Sequence, residues 1–531
     1  MRRKVRIIGR GTWVDKVAAQ LIAREKRLGR DLSLLRTESG LGASGIPHIG
    51  SMADAVRAYA VTLALRDMGY TSETIAFSDD MDGLRSVPSG LPEWLNDYLL
   101  HPVSLIPDPY GCHKSYGEHM SSLLREALDY VGIDYTHISA YDVYRKGLMY
   151  DVIREILINS RKVGEIIYEE IGQEKFKRQL PYYAICKNCG RIYTTVALEF
   201  DEKRGMVRYR CEGGEVKSKW YEGCGYEGWA DIRKADGKLA WVGGEFAARW
   251  KYLDIRFEAY GKDIADSVRV NDRIAREVLN YEPPLHVRYE MFLDVSGRKI
   301  SKSTGRIFTP QMWFKYGSPE SLLLYLLKRF VGTRRVSYET VIHMMREMDL
   351  YRQIYFGKIK LDNPLKETKI KGLLEYAYKL QGVKPIKVPY DLLLSLASVA
   401  PKSIEKEFVK KRVVKYGYQV DQEVETLIEY AVNWVKDFGK PPEKEKVEIE
   451  LSEKFKEAIR ELIEKIKGLS EGEQIQGKIF ETARQFNIPA SEYFKTLYKI
   501  IIGQDRGPRL GPLIADLGVD NVIKKLETAI S

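Results

Sequence analysis

The chain has 531 residues, a formal charge of +11 and a pI near 9.0, with 44% hydrophobic and 30% charged residues. That length exceeds what one core serves, so about three or four domains are expected, and the composition excludes a disordered or fibrous chain. No apolar run reaches the roughly 20 residues a bilayer demands, and Met1-Arg2-Arg3-Lys4 leads into no signal-type apolar core, which predicts a cytosolic protein without a membrane partner.

Val5 to Arg27 reads as a short strand and a helix. Leu32 to Thr37 is the next strand and runs into a glycine-rich loop, Glu38-Ser39-Gly40-Leu41-Gly42-Ala43-Ser44-Gly45. From His48 to Met68, Ala53, Val56, Ala60 and Leu63 recur at helical spacing. Thr74 to Ser78 is a strand ending in Asp79-Asp80-Met81-Asp82-Gly83. Strand, glycine loop, helix and strand form a βαβ unit. It implies a doubly wound parallel sheet of the Rossmann type with its ligand at the strand ends.

From Pro88 to Trp241 the α/β alternation stops, and all five cysteines fall there, which reads as an insertion in the sheet domain. The alternation then returns up to Lys302. Beyond Phe308 the chain is strongly helical. Helices are expected over Pro319–Phe330, Tyr338–Phe356, Lys371–Leu380, Tyr390–Ala397, Gln422–Lys436, Ser452–Lys467 and Gln474–Phe486. Gly439-Lys440-Pro441-Pro442-Glu443 reads as a linker.

Two short segments carry most of the chemistry. Pro47-His48-Ile49-Gly50-Ser51 sits where the glycine loop turns into a helix. Lys299-Ile300-Ser301-Lys302-Ser303 sits between a strand-like run and a helix. A helix start offers unpaired N–H groups and a positive dipole end to phosphate. Ser44 and Gly45 let the loop pass close to it, Gly50 and Ser51 follow in the first turn, and His48 donates an imidazole hydrogen bond. Lys299 and Lys302 add mobile cations, and Ser301 and Ser303 add hydroxyls. That set suits a pentavalent phosphorus with pyrophosphate leaving it. Taken singly, each segment reads equally as a helix cap or a solvated basic turn; as a pair in a βαβ context they read as a grip on a nucleoside triphosphate. No nucleophile is among them, so the substrate's own carboxylate attacks the α-phosphorus, with His48, Lys299 and Lys302 as the catalytic residues.

Cys186-x-x-Cys189 with Cys211 and Cys224 has the ligand set of a tetrahedral zinc site, with a stretch looped out between Cys211 and Cys224. Buried free thiols are the alternative. Asp108, Cys112, His113 and His119 fall within a dozen residues and read as a second, mixed-ligand zinc site, with chance proximity as the alternative. Both would be structural, because each fills four positions without water.

The two signature segments resemble those of the class I aminoacyl-tRNA synthetases, His-x-Gly-His/Asn and Lys-Met-Ser-Lys-Ser, with Ser51 and Ile300 as departures. A closer similarity is to the archaeal-type class I lysyl-tRNA synthetases. It rests on Phe77-Ser78-Asp79-Asp80-Met81-Asp82-Gly83-Leu84-Arg85, Pro107-Asp108-Pro109-Tyr110-Gly111-Cys112-His113, Phe292-Leu293-Asp294 and Gly503-Gln504-Asp505-Arg506-Gly507-Pro508-Arg509. The resemblance implies ATP-dependent activation of L-lysine, then transfer to the terminal adenosine of tRNA(Lys). It divides the chain into the first half of the catalytic domain (1–100), a connective insertion (101–240), the second catalytic half (241–310), a stem-contact helical domain (311–400) and an α-helical anticodon-binding domain (401–531).

At the adenosine side the family reads Gly-Lys-Asp-His; here it is Gly261-Lys262-Asp263-Ile264, where Asp263 accepts a ribose hydroxyl and Ile264 makes no hydrogen bond. The family run Asp-Trp-Pro-x-Arg-Trp appears as Glu245-Phe246-Ala247-Ala248-Arg249-Trp250.

A lysine substrate brings an ε-ammonium that must be paired once buried. Glu38, on the Glu38-Ser39-Gly40 stretch tied to the ATP motif, is the preferred partner. Glu245 and the aspartates 79, 80 and 82 are alternatives, and Trp241 and Trp250 are candidates to pack the stem or the ammonium. The basic excess favours a polyanionic partner, although a Lys/Glu-rich heat-adapted surface gives the same balance. The helical half interleaves Lys with Tyr and Phe, as in Tyr493-Phe494-Lys495-Thr496-Leu497-Tyr498-Lys499, which suits tRNA; a helix with its aromatics in the core is the alternative. A monomer is expected. Competing readings are a tRNA-binding paralogue that no longer activates lysine and a class I synthetase for another amino acid.

Overall fold

The computed structural model describes residues 7–290, 292–293, 297, 307–329, 332–439, 451–503 and 505–530. The chain divides into two compact units. The first comprises Met1–Gln311, Leu323–Ser337 and Glu375–Gln381; the second comprises Met312–Leu322, Tyr338–Leu374 and Gly382–Ser531.

In the first unit, helix α1 (Trp13–Arg27) opens on a capping box in which Thr12 and Asp15 satisfy each other's backbone N–H. The strand read from Val5 lies mostly outside the described residues, and Ile7 and Ile8 are exposed coil. Strand β1 (Leu35–Leu41) is longer than its sequence suggests, because Glu38, Ser39 and Gly40, expected in a loop, belong to it. The ladder overrides local propensity: β1 pairs along its whole length with β2 (Ser72–Ser78), and Thr37, Glu38 and Ser39 are buried. Between them runs α2 (Ile49–Asp67), buried on nearly every face and rich in alanine, which lets it pack closely on the sheet.

Helix α3 (Tyr116–Tyr130) and strand β3 (Thr136–Ser139) follow, and β3 extends the same sheet beside β2. The segment expected to be pure insertion thus also supplies an edge strand. The chain then leaves the sheet through β4 (Tyr182–Ala184), β5 (Thr195–Asp201), β6 (Met206–Cys211), the hairpin β7 (Gly213–Val216) and β8 (Lys219–Glu222), β9 (Glu227–Asp231) and β10 (Gly237–Leu239). Here β5, β6 and β9 form an antiparallel sheet, and β10 pairs with β4. After the helix Glu245–Leu253, β11 (Ile255–Gly261) and β12 (Leu285–Tyr289) return to the main sheet, whose order is β12-β11-β1-β2-β3, all parallel. Strand order reverses direction at the β1/β11 junction, where doubly wound sheets open their ligand crevice.

The second unit is helical and holds no strand among its described residues. It contains helices Tyr338–Tyr355, Tyr390–Val399, Glu405–Lys415, Gln422–Phe438, Glu453–Ile466, Gly472–Gln485, Ala490–Ile502, Leu510–Leu517 and Val519–Ile530. The helix expected from Lys371 starts earlier, at Pro364, where the Asn363 side chain accepts from the N–H groups of Leu365 and Lys366. It stops at Ala377, because Lys379 and Leu380 have left-handed backbones (φ 52° and 60°). No helix among the described residues is long and apolar enough to cross a membrane.

Candidate active site and metal centres

The chain leaves β1 at Leu41 and enters α2 at His48, which caps the helix. His48 Nδ1 accepts from the backbone N–H of Gly50 (3.0 Å) and of Ser51 (3.3 Å). A ring that accepts at Nδ1 carries its proton at Nε2 when neutral, so the cap fixes the tautomer. Gly50 is required for this: a Cβ there would lie 2.8 Å from Cε1 and 2.9 Å from Nδ1 of His48. The N–H of Ile49 donates to the carbonyl of Phe308 (2.9 Å). The first amides of α2, expected to face a phosphate, are therefore engaged within the chain. What the helix start offers a phosphate is its dipole and the oriented imidazole.

Lys299, Ser301, Lys302 and Ser303 lie outside the described residues. Both flanks of that segment are described, and both meet the start of α2. Upstream, the Phe292 ring lies 3.5 Å from a Cβ built on Gly50; downstream, Phe308 accepts from Ile49.

On the loop before α2, Ser44 is exposed and its carbonyl accepts from the Tyr116 hydroxyl (3.2 Å), while Gly45 is buried. On β11, Gly261 lacks the Cβ that would meet Asp263 Oδ1 at 2.6 Å, which lets the Asp263 carboxylate fold back over the strand end. Ile264, the departure from the family pattern, is half-buried and packs against the core, so an apolar side chain suits that place.

At the β1/β11 junction, Glu38 and Glu258 stand directly opposite on neighbouring strands. Both contact Arg249, on the helix Glu245–Leu253: Arg249 Nε is 2.5 Å from Glu38, Nη2 is 3.2 Å from Glu258, and Nη1 is 3.1 Å from Asp79 at the end of β2. Trp250 is fully buried and donates Nε1 to the other oxygen of Glu258 (2.6 Å). One turn earlier on the same helix, Glu245 lies 2.6 Å from Lys238 Nζ, which is also 2.6 Å from Asp82. Trp241 Nε1 donates to that Asp82 oxygen (3.1 Å).

The expected lysine-binding residues Glu38, Trp241, Glu245 and Trp250 thus share one cluster, Glu38 and Glu245 each already holding a cation of the chain. Ser39 is buried with no hydrogen-bond partner for its hydroxyl among the described residues, and a Cβ on Gly40 would lie 3.3 Å from Asp79. Of the cluster's other members, Asp79 and Asp82 were alternatives for the ammonium from sequence alone, whereas Arg249, Glu258 and Lys238 were not singled out for the lysine site. The Asp79–Arg85 and Glu245–Trp250 runs contain Asp79, Asp82 and Arg249; no motif marked Glu258 or Lys238.

Five carboxylates (38, 79, 82, 245 and 258) surround Arg249 and Lys238 here, so carboxylates outnumber the two cations they contact. Burial accordingly pushes the Glu38 carboxyl well up, Asp79 up to about 6 and Glu245 up to about 7, against the pull of Arg249 and Lys238. Arg249 is held charged by Glu38, Asp79 and Glu258.

The five cysteines are free thiols. The ligand atoms of Cys186, Cys189, Cys211 and Cys224 all lie within 4.8 Å of one another. Two Sγ–Sγ distances are 3.5 Å (Cys186–Cys224) and 3.8 Å (Cys189–Cys211), close to the edge of about 3.8 Å that a tetrahedron of 2.3 Å zinc–sulfur bonds requires. Gly190 (φ 70°) and Gly225 (φ 76°) close the two turns around the thiols. The excursion expected between Cys211 and Cys224 is the β7–β8 hairpin. In the second group, Cys112 Sγ lies 3.1 Å from His113 Nδ1 and 3.3 Å from His119 Nδ1. His119 Nδ1 is in turn 3.3 Å from Asp108. Backbone N–H donors at Tyr110, Cys112 and His113 hold Asp108 down at about 2, so it is ionised and ready to ligate. Both groups fit a metal ion.

Comparisons with known proteins extend this geometry. The family model for "tRNA synthetases class I (K)" matches residues 11–379. A lysine–tRNA ligase of Cenarchaeum symbiosum (strain A) is 49% identical over 521 residues, covering 97% of this chain and 98% of that one. One from Archaeoglobus fulgidus is 30% identical, covering 98% and 100%. One from Rickettsia bellii (strain OSU 85-389) is 30% identical, covering 92% of each.

Proposed function

This chain belongs to the class I tRNA synthetases (K), the lysine type, and on that premise we propose how its site performs lysine–tRNA ligation. L-lysine is activated first: a carboxylate oxygen of lysine attacks the α-phosphorus of ATP, the bond to the β-phosphate oxygen breaks, and pyrophosphate leaves. A ribose hydroxyl of the terminal adenosine of tRNA(Lys) then attacks the lysyl carbonyl, forming the ester and releasing AMP.

The observation that carries this reading is the buried surplus of carboxylate at the β1/β11 junction, on the strand whose end leads to His48. A single ε-ammonium entering there relieves one unit of that surplus, and a neutral side chain of the same length relieves none. His48 donates from Nε2 to the phosphates as charge grows on the leaving pyrophosphate. Lys299 and Lys302, with Ser301 and Ser303, are assigned to the same phosphates, and Asp263 to a ribose hydroxyl. ATP brings Mg2+ with it. Zinc is the proposed occupant of both metal groups. Bound by Cys186, Cys189, Cys211 and Cys224, and by Asp108, Cys112, His113 and His119, it would cross-link the turns of the insertion.

Aminoacylation tests the reading. The chain is expected to load labelled lysine onto tRNA(Lys) as an ester that mild base releases. Loading of a different amino acid, or binding of tRNA without any loading, would refute it.

The pH dependence has a definite sign. Asp79 and Glu245 have folded values of about 6 and about 7, above the ordinary carboxyl range near 4. Their favourable share of stability is complete below about pH 4 and is lost as pH rises through 6 to 7. A bound ammonium favours the ionised carboxylates, so the rise in melting temperature caused by saturating L-lysine should be larger at pH 8 than at pH 5.5. An equal shift at both values would contradict a carboxylate-lined pocket.

Metal analysis is expected to find zinc at both groups, two equivalents per chain, falling to one after Cys186→Ser and to one after His119→Ala. Wild-type protein that retains no zinc through purification would remove the metal assignment.

A further inference from the structure

Lys238 is a buried cation that the reaction above does not use. It sits in the middle of β10, opposite Tyr183 of β4, and is 1% exposed. Its ammonium meets Asp82 and Glu245 at 2.6 Å each, and its Nζ lies 6.0 Å from the centroid of the Trp241 ring. Tyr144 and Tyr193 face it as well, with Asp79 behind. Both tyrosines are engaged at their hydroxyls, which accept from the N–H groups of Leu239 (3.1 Å) and Gly83 (3.0 Å).

An ammonium between two carboxylates beside an indole is what a pocket for a lysine side chain requires. Here the chain fills that pocket with its own lysine. Two consequences follow. Asp82 belongs to the loop after β2 and Glu245 to the first turn of the helix Glu245–Leu253, so Lys238 ties these two elements together from a third. It also engages two carboxylates that would otherwise compete for the substrate.

We propose that Lys238 is a positioning residue for amino-acid binding: by occupying Asp82 and Glu245 it directs the substrate's ε-ammonium to the Glu38–Asp79–Glu258 cluster around Arg249. The proposal rests on the lysine-activating reading. Without Lys238, Asp82 and Glu245 would form a second negative pole about which a substrate ammonium could seat wrongly, and the loop would lose its anchor to the helix.

The test is steady-state ATP–pyrophosphate exchange with Lys238→Met, which keeps length and removes charge, and with Lys238→Ala. For Lys238→Met the KM for lysine should rise about tenfold or more while the KM for ATP stays within twofold, since misplacing one substrate has effects of that order. For Lys238→Ala, ethylammonium chloride should restore exchange and raise the melting temperature, and tetramethylammonium chloride, too bulky to fit between two carboxylates, should do neither. An unchanged KM for lysine in Lys238→Met would overturn the proposal. So would a parallel loss in every kinetic constant with no rescue of Lys238→Ala, which marks a purely structural role. If wild-type protein showed no lysine-dependent exchange, the lysine-activating reading itself would fall; an active wild type with indifferent variants removes Lys238 alone.

Discussion

Arg249→Leu should destabilise the first unit by about 3–5 kcal/mol, the cost of leaving buried partners of an ion pair uncompensated. Arg249 is 3% exposed at its side chain and touches three carboxylates, Glu38, Asp79 and Glu258, which arrive from three different strands or strand ends. Removing it leaves the opposed Glu38 and Glu258 facing each other in the sheet interior. At least one must then take up a proton, so the deficit should grow as pH rises from 5.5 to 8 and shrink at low pH. Urea denaturation of both proteins across that range measures it. Adding Glu38→Leu to Arg249→Leu should recover part of the loss, because an apolar pair replaces a stranded charge. A deficit under about 1 kcal/mol that ignores pH would show that the cluster does not depend on Arg249.

His48→Ala should lower the rate of lysine activation by about 10²–10³-fold, the usual effect of deleting one donor to developing charge. It should also cost about 1 kcal/mol of stability, since His48 caps α2 through the N–H groups of Gly50 and Ser51. His48→Asn separates the two effects: asparagine is a good cap, so stability should return while most of the rate loss remains. Gly50→Ala leaves the imidazole in place chemically but drives a methyl to within 2.9 Å of its ring atoms, and a rate loss of about tenfold or more is expected from the displacement alone. Full activity in His48→Ala would exclude the imidazole from the chemistry.

The βαβ core was legible because it rests on local signals: alternation, glycine punctuation and the helical spacing of Ala53, Val56, Ala60 and Leu63. The end of β1 was not, because Glu38-Ser39-Gly40 carries loop-like residues and is drawn into the strand by pairing on both sides. The metal groups could be read from ligand spacing, and their atoms converge as the spacing demands. Which charges meet at the strand ends could not be read. Arg249 reaches Glu38 across 211 positions, and Lys238 reaches Asp82 across 156, distances in sequence that only the fold closes. Lys238 sits in a segment with no motif at all. The helices Glu405–Lys415, Leu510–Leu517 and Val519–Ile530 were also missed, the first because its charge-rich sequence buries only Glu405, Val409 and Val413.

ATP–pyrophosphate exchange, measured with each of the twenty amino acids in turn and with and without tRNA, is the most direct test of a lysine-activating site. L-lysine alone should support rapid exchange, and norleucine, which has a methyl group in place of the ammonium, should support it at least about 10³-fold less well. Exchange driven by an uncharged amino acid as readily as by lysine, or none with any amino acid even when tRNA is present, would contradict the assignment of the buried acidic cluster to the substrate's ammonium.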